Sequence, residues 1–237
     1  MLIAAAVCPH PPLLVPEVTG ASDPGDRELR RLRAACRDAV AVLLGAAPGL
    51  LVVVGGAGQT AEYPAAAGGS LRGFGVPFIV GGDPVLPLSL TIGKWLLAGA
   101  LPPSPSVTWQ GIASGAATAD CLSLGEKLAA LAPRVALLAM GDGPGRRARG
   151  VPGATDAEAD RYDEQVSAAL AAADPGALAA LDPRDDRALE IAGRATWQVL
   201  AGAAGDERSQ DAFDAELCYR GAPFEVSYVV ASWRRAP

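Results

Sequence analysis

Three stretches of this chain are apolar at nearly every position: Leu2–Val7 (LIAAAV), Leu50–Gly56 (LLVVVGG) and Val135–Met140 (VALLAM). Such short runs, bounded by Gly and Pro and rich in β-branched residues, read as strands and not as buried helices. A strand without polar alternation must be covered on both faces, which is the condition of parallel sheets flanked by helices. Between the first two runs, DRELRRLRAACRDAVAVLLG opens at Asp26 and places Leu29, Leu32, Cys36, Val40 and Leu43 at helical spacing, with arginines opposite. Gly45 and Pro48 end it, so strand, helix and strand form one parallel βαβ-like unit.

The remaining elements are read more locally. Gly58–Gly82 is rich in Gly and Ala and predicts only short peripheral strands such as Val76–Val80. Leu86–Leu101 predicts a helix, Val107–Ala113 a strand, and Thr118–Pro133 a helix stopped by its proline. TDAEADRYDEQVSAALAAAD begins with a capping box, Thr155 with Glu158 three residues on. Its acidic run, Asp156, Glu158, Asp160, Asp163 and Glu164, reads as a solvated face that complements the helix dipole. Asp174-Pro175 and Asp182-Pro183 repeat an N-cap followed by an N1 proline and predict two more helices, the second carrying Trp197. AELCYR and FEVSYVVASW close the chain as paired strands. With no linker visible, the expectation is an α/β fold: a single three-layer α/β/α domain spanning 1–237 around a central mixed, mostly parallel sheet.

Twenty Lys and Arg against 26 Asp and Glu give a net charge of −6, which argues against a nucleic-acid or anionic-membrane surface, since both need a basic footprint. The arginine groups Arg30–Arg31–Arg33, Arg146–Arg147–Arg149 and Arg234–Arg235 are short and separate and read as solvated faces. The four cysteines, Cys8, Cys36, Cys121 and Cys218, form no CxxC pair, which excludes zinc-ribbon and thioredoxin-like readings and suits a reducing compartment. The N-terminal segment has no basic start and soon meets prolines, so it reads neither as a signal peptide nor as a membrane span, and a cytoplasmic protein is expected.

In open α/β sheets, sites form beyond the carboxyl ends of the strands, which directs attention to three turns. In the first, Cys8-Pro9-His10-Pro11-Pro12 presents the only histidine of the chain, with Pro11 as cleft lining. His10 is a candidate metal ligand or acid/base group, or else a histidine hydrogen-bonded in a proline-fixed loop. The second turn, GGAGQT, supplies Gly55, Gly56 and Gln59 as cleft lining without the spacing of a phosphate-binding loop. In the third, GDGPGRR, Gly141 lines the cleft and Asp142 is a ligand or base, or a cap for its own turn. No GxSxG is present, and a nucleophilic triad would have to bring Cys218, Cys121 or a serine against His10.

CPHPPLLVPEV after the first strand, LLVVVGG, ALLAMGDG and the terminal VSYVVASW together resemble the class III (LigB-type) extradiol ring-cleavage dioxygenase superfamily, which includes the Memo proteins. GDGPGRR, ALAALDP and GRATWQVLAGAAGD resemble more narrowly an actinobacterial LigB-like branch. The resemblance implies, in active members, a non-haem Fe(II) held by two histidines and a carboxylate. His10 matches the first ligand; GGAGQT stands where the second histidine belongs, and GDGPGRR where a catalytic histidine belongs. The position of the third ligand, a glutamate or a cysteine, falls nearest Cys218, with Glu216 and Glu225 as carboxylate alternatives.

One histidine cannot complete a two-histidine triad. The resemblance therefore implies a LigB-like protein with most metal and catalytic histidines missing, a non-catalytic protein binding a small molecule or a partner. The alternative is an active metal-dependent oxidoreductase or hydrolase with an altered ligand set around His10, drawing on Cys218, Glu225 or Asp142. No cofactor is expected on the first reading, and Fe(II) or Zn(II) on the second. A third reading is a structural subunit paired with a catalytic chain, and a homo-oligomer is left open. Trp95, Leu96 and Leu97 read as core before dimer contact.

Overall fold

The three apolar runs become three neighbouring strands. The computed structural model describes residues 1–19, 27–98, 100, 106–145, 156–205 and 213–236. Its strands are β1 (Leu2–Cys8), β2 (Leu50–Ala57), β3 (Ala61–Tyr63), β4 (Gly69–Ser70), β5 (Ile79–Val80), β6 (Ser106–Ala113), β7 (Val135–Met140), β8 (Phe213–Gly221) and β9 (Tyr228–Arg235). Its α-helices are α1 (Pro16–Thr19), α2 (Arg27–Gly45), α3 (Leu88–Ala98), α4 (Thr118–Ala129), α5 (Asp156–Ala171), α6 (Pro175–Ala179), α7 (Asp185–Leu189) and α8 (Arg194–Ala204). Among the described residues the main sheet has seven strands, in the order β3-β6-β2-β7-β1-β9-β8. β6, β2, β7 and β1 run parallel, while β3 at one edge and β9 and β8 at the other are antiparallel additions. The fold is α/β, with a mixed, mostly parallel sheet between two helical layers.

The continuous hydrophobicity of the central strands follows from those layers. On β7, Val135, Leu137 and Ala139 join one core with Cys121, Tyr162, Val166, Trp197 and Leu200 of α4, α5 and α8. Ala136, Leu138 and Met140 face the other core, with Leu32, Cys36, Leu43, Leu90 and Ile92 of α2 and α3. β2 splits in the same way, Val52 and Val54 against Leu51 and Val53. Alternation is absent from the sequence because both faces of the pleat are dry.

Several local expectations are corrected by tertiary packing. The strand expected over Val76–Val80 is reduced to Ile79–Val80, paired with β4 apart from the main sheet. Asp174 does cap α6, accepting from the Ala177 amide at 2.9 Å. Asp182 does not cap α7: it accepts from the backbone and guanidinium of Arg184 instead, and the expected helix breaks into α7 and α8. The break falls at Glu190, which has a positive φ of 52°, before Gly193. The last strand begins at Tyr228, later than expected, because Phe224 and Glu225 take left-handed conformations with φ of 60° and 64°. Asp163 of the acidic run is buried and ion-paired to Arg220 of β8 at 3.0 Å, and Glu164 pairs with the same guanidinium. Arg33 is not a solvated residue: it donates to the Leu13 and Leu14 carbonyls, each at 2.8 Å, and pins the loop that follows the histidine. Thr155 of the capping box and Arg146, Arg147 and Arg149 lie outside the described residues. Leu96 and Leu97 are core, and no helix among the described residues is long and apolar enough to cross a membrane.

Candidate functional site

β1 and β7 lie side by side with Cys8 opposite Met140, so the residues two beyond each strand end emerge together. These residues are His10 and Asp142. The Gly141 amide donates to the Cys8 carbonyl at 3.0 Å and carries the strand pairing one residue past β7. The His10 backbone N–H then donates to Asp142 Oδ1 at 2.7 Å, and His10 Nδ1 lies 3.4 Å from the same oxygen. The backbone amide takes the better geometry, and Nδ1 is buried without a hydrogen-bond partner among the described residues. The two side chains are only 11% and 16% exposed. The Asp142 carboxylate is therefore bound to the histidine loop.

The turn after β7 is fixed on two further sides. Gly143 donates to the Ser227 carbonyl and Ser227 to the Pro144 carbonyl, both at 2.9 Å, joining this turn to the lead-in of β9. The Gly145 amide reaches the Leu189 carbonyl at 2.9 Å, and the Ala192 amide reaches the Asp142 carbonyl at 3.1 Å. Gly141 packs on α8 so closely that a Cβ there would stand 2.5 Å from Gly193 Cα and 2.8 Å from Thr196 Oγ1. Beneath it Trp197 Nε1 is buried without a partner among the described residues. Burial pushes the Tyr228 hydroxyl well above its usual range, with the Asp142 charge acting in the same direction.

The other expected residues are spread more widely. Gly56 faces the strand-end region, 3.5 Å by its absent Cβ from the Ala192 carbonyl and Ser114 Oγ. Gly55 packs instead against Ser89 and Leu90 of α3, leaving no room for a side chain. Pro11 is buried and its carbonyl closes the next turn on Leu14, while Gln59 is exposed beyond the end of β2. Cys218 sits on β8, 3.8 Å from Ser232 Oγ of β9 and separated from β1 by that strand. Burial raises its thiol above the usual range. Glu216 and Glu225 are exposed. Among the described residues, no three His, Cys, Asp or Glu side chains are placed to hold a metal ion. The structure joins His10 to Asp142 and gathers neither Cys218 nor Glu225 with them.

Sequence reasoning missed the clamp behind this region. Arg194, fully buried, donates to Asp186 Oδ2 and Gln198 Oε1 at 2.7 Å and to the Ser114 and Ala116 carbonyls at 3.0 Å. Gln198 in turn donates to the Ala179 and Leu181 carbonyls. Two side chains one helical turn apart thus tie the loop after β6 to α6, α7 and α8. Burial holds the Asp186 carboxyl above the usual range, although the Arg194 bond opposes it. The sequence signal was Arg194 and Gln198 at spacing i, i+4 in a helix whose other residues, Thr196 apart, are apolar.

No family model matches this chain, and no curated protein does. Among solved structures it is similar to the uncharacterized protein JW3007 from Escherichia coli K12, at 15% identity and a TM-score of 0.54, over 98% of this chain and 99% of that one. At that identity the likeness concerns the fold alone.

Proposed function

We propose that the chain is a LigB-type protein that works without the metal chemistry of that superfamily and binds a small molecule at the carboxyl ends of its parallel strands, in a reducing cytosol. The observation that carries this reading is the His10–Asp142 pair. One imidazole and one carboxylate lie at the strand ends where the superfamily holds its metal, and among the described residues His10 Nδ1 has no hydrogen-bond partner and no third ligand stands beside them. These residues do not fit a site of two histidines and a carboxylate, and no step of dioxygenase chemistry is derived through iron. What they can do is recognise. An imidazole and a carboxylate held by a backbone amide, each with a small exposed part, give the strand ends one polar edge in an apolar setting, as binding sites do. The four unpaired thiols support a reducing compartment.

The test is metal content by mass spectrometry after anaerobic reconstitution with Fe(II) and Zn(II), for wild type, His10→Ala and Asp142→Asn, followed by thermal unfolding of metal-free wild type with catechol. A metal-free protein stabilised by catechol, with the effect lost in His10→Ala, is the expected result; at a hundred times Kd the gain is about 2.7 kcal/mol. Near one metal per chain, lost in both variants, would overturn the non-catalytic reading in favour of a metalloenzyme with an altered ligand set.

A further inference from the structure

The clamp of Arg194 stands behind the His10–Asp142 contact, and two of the segments it holds border the strand ends. Arg194 Nε donates to Asp186 Oδ2 at 2.7 Å, eight positions away in the chain, and so closes residues 186–194 into a loop. Inside that loop the Ile191 amide returns to the Asp186 carbonyl at 2.9 Å, and Glu190 takes its left-handed conformation. The same loop supplies two backbone groups that grip the turn after β7: the Leu189 carbonyl accepts from Gly145, and the Ala192 amide donates to the Asp142 carbonyl. At its end Gly193 packs on Gly141, the residue before Asp142. Nη2 of the same guanidinium holds the Ser114 and Ala116 carbonyls of the loop after β6, in which Ser114 lies against Gly56.

The side chain suits this task. A guanidinium presents its donors in a rigid planar fork, so one buried group meets Asp186, Gln198 and the loop after β6 in fixed relative directions. An ammonium is a point charge without that fork. The Arg194 side chain has no exposed surface, and breaking an ion pair so placed leaves a buried charge uncompensated. A loop closed in this way keeps Leu189 and Ala192 in place. They in turn keep the Asp142 backbone where its carboxylate accepts from the His10 amide at 2.7 Å.

We propose that Arg194, through Asp186, is a positioning residue of the strand-end pair: it sets the place of Asp142 and, with it, the course of the His10 loop. The consequence for ligand binding rests on the strand-end reading, whereas the positioning of Asp142 does not.

His10 is the only histidine, so the full chain labelled with 15N at histidine gives one backbone amide signal, from the N–H that Asp142 accepts. Its chemical shift and hydrogen exchange are followed in wild type, Arg194→Lys and Asp186→Ala. Asp142→Asn marks the direction in which a weakened acceptor moves the signal, and Leu43→Ala is a destabilising cavity variant in the opposite helical layer. The expected result is a signal displaced in the direction of Asp142→Asn in both Arg194→Lys and Asp186→Ala, with exchange about tenfold faster, and a chemical shift unmoved in Leu43→Ala. A chemical shift that keeps its wild-type value in both variants, or that Leu43→Ala moves as far, overturns the proposal. Asp186→Ala keeps the test decisive if Arg194→Lys does not fold. Catechol titrated into metal-free wild type and Asp186→Ala reads the consequence, an affinity about tenfold weaker in the variant. Equal affinity despite a displaced signal overturns the role in binding. A displaced signal with no binding by wild type overturns the strand-end reading and upholds the positioning of Asp142.

Discussion

Single residues at the strand ends are governed by space as much as by chemistry. Gly141 has an ordinary backbone conformation and no need of glycine's freedom, yet a methyl group there would press into Gly193, Thr196 and the Trp197 indole. Gly141→Ala is expected to destabilise the fold by about 2 kcal/mol, read from the urea midpoint, because α8 must retreat from the turn that holds Asp142. Tyr162 gives a change of the opposite sign. Its hydroxyl is buried without a partner among the described residues, so Tyr162→Phe is expected to raise stability by about 1 kcal/mol. The same variant has a pH signature. Burial, with Asp186 second, pushes the Tyr162 hydroxyl far above its usual range, so the folded state keeps it neutral where the unfolded chain ionises it. Stability from this group is present below about pH 10 and is lost as pH rises beyond that, toward the raised folded value. Alkaline unfolding of Tyr162→Phe should fall off less steeply than wild type; an identical slope would mean that the hydroxyl titrates normally in the fold.

At the scale of elements, the tightest helix contact inverts a propensity rule. Gly125 of α4 and Gly202 of α8 sit in helix interiors, where alanine is ordinarily better by up to about 1 kcal/mol. Here each glycine lies against the backbone of the other helix: a Cβ on Gly125 would meet the Val199 carbonyl and the Ala203 amide, and one on Gly202 the Leu122 carbonyl. Gly125→Ala and Gly202→Ala should each destabilise by about 2–3 kcal/mol. The double variant should lose less than the sum, since one separation of the helices relieves both clashes. Additive losses in thermal unfolding would refute a shared interface. Arg194 belongs to the same layer. Arg194→Met strands the half-buried Asp186 carboxylate and should remove about 3–5 kcal/mol at neutral pH. Because the Asp186 carboxyl is raised in the fold, its ionisation opposes folding as pH rises through that raised value. The deficit of the variant should therefore shrink as pH is lowered toward 4, which a pH series of unfolding midpoints would check.

For the whole molecule, the two dry faces of the sheet divide the thiols into unequal classes. Cys8, Cys36 and Cys121 are buried, while Cys218 is half-buried on the edge strand. The Cys36 thiol is pushed up, first by its hydrogen bond to Cys8 and then by burial, and the Cys121 thiol by burial. Ellman's reagent should titrate at most one thiol per native chain, slowly, and all four only in denaturant. Rapid native labelling of more than one would show that a helical layer opens from the sheet. The legibility of the fold follows the same geometry. Strands covered on both faces advertise themselves as unbroken apolar runs, and β1, β2 and β7 were read to within a residue or so. β8, at the edge and half wetted, and the short pair β4 and β5 carried little pattern, so their limits were decided by partners distant in sequence.

The candidate sites divide likewise. His10 and Asp142 were each visible beforehand as chemistry-bearing residues just after a buried strand, because turns at strand ends are punctuated by Pro and Gly. Their contact was not visible, since it depends on β1 and β7 being neighbours with Cys8 opposite Met140, a register that no local spacing encodes. Cys218 and Glu225 looked equally eligible, and the intervening β9 and the left-handed turn at Phe224 and Glu225 keep them from joining the pair. Composition and periodicity alone determined an α/β protein with a buried, mostly parallel sheet, because hydrophobic burial acts residue by residue along each element. Strand order, the clamp of Arg194 and the contact of His10 with Asp142 were decided only in three dimensions, because they arise where the chain returns to itself.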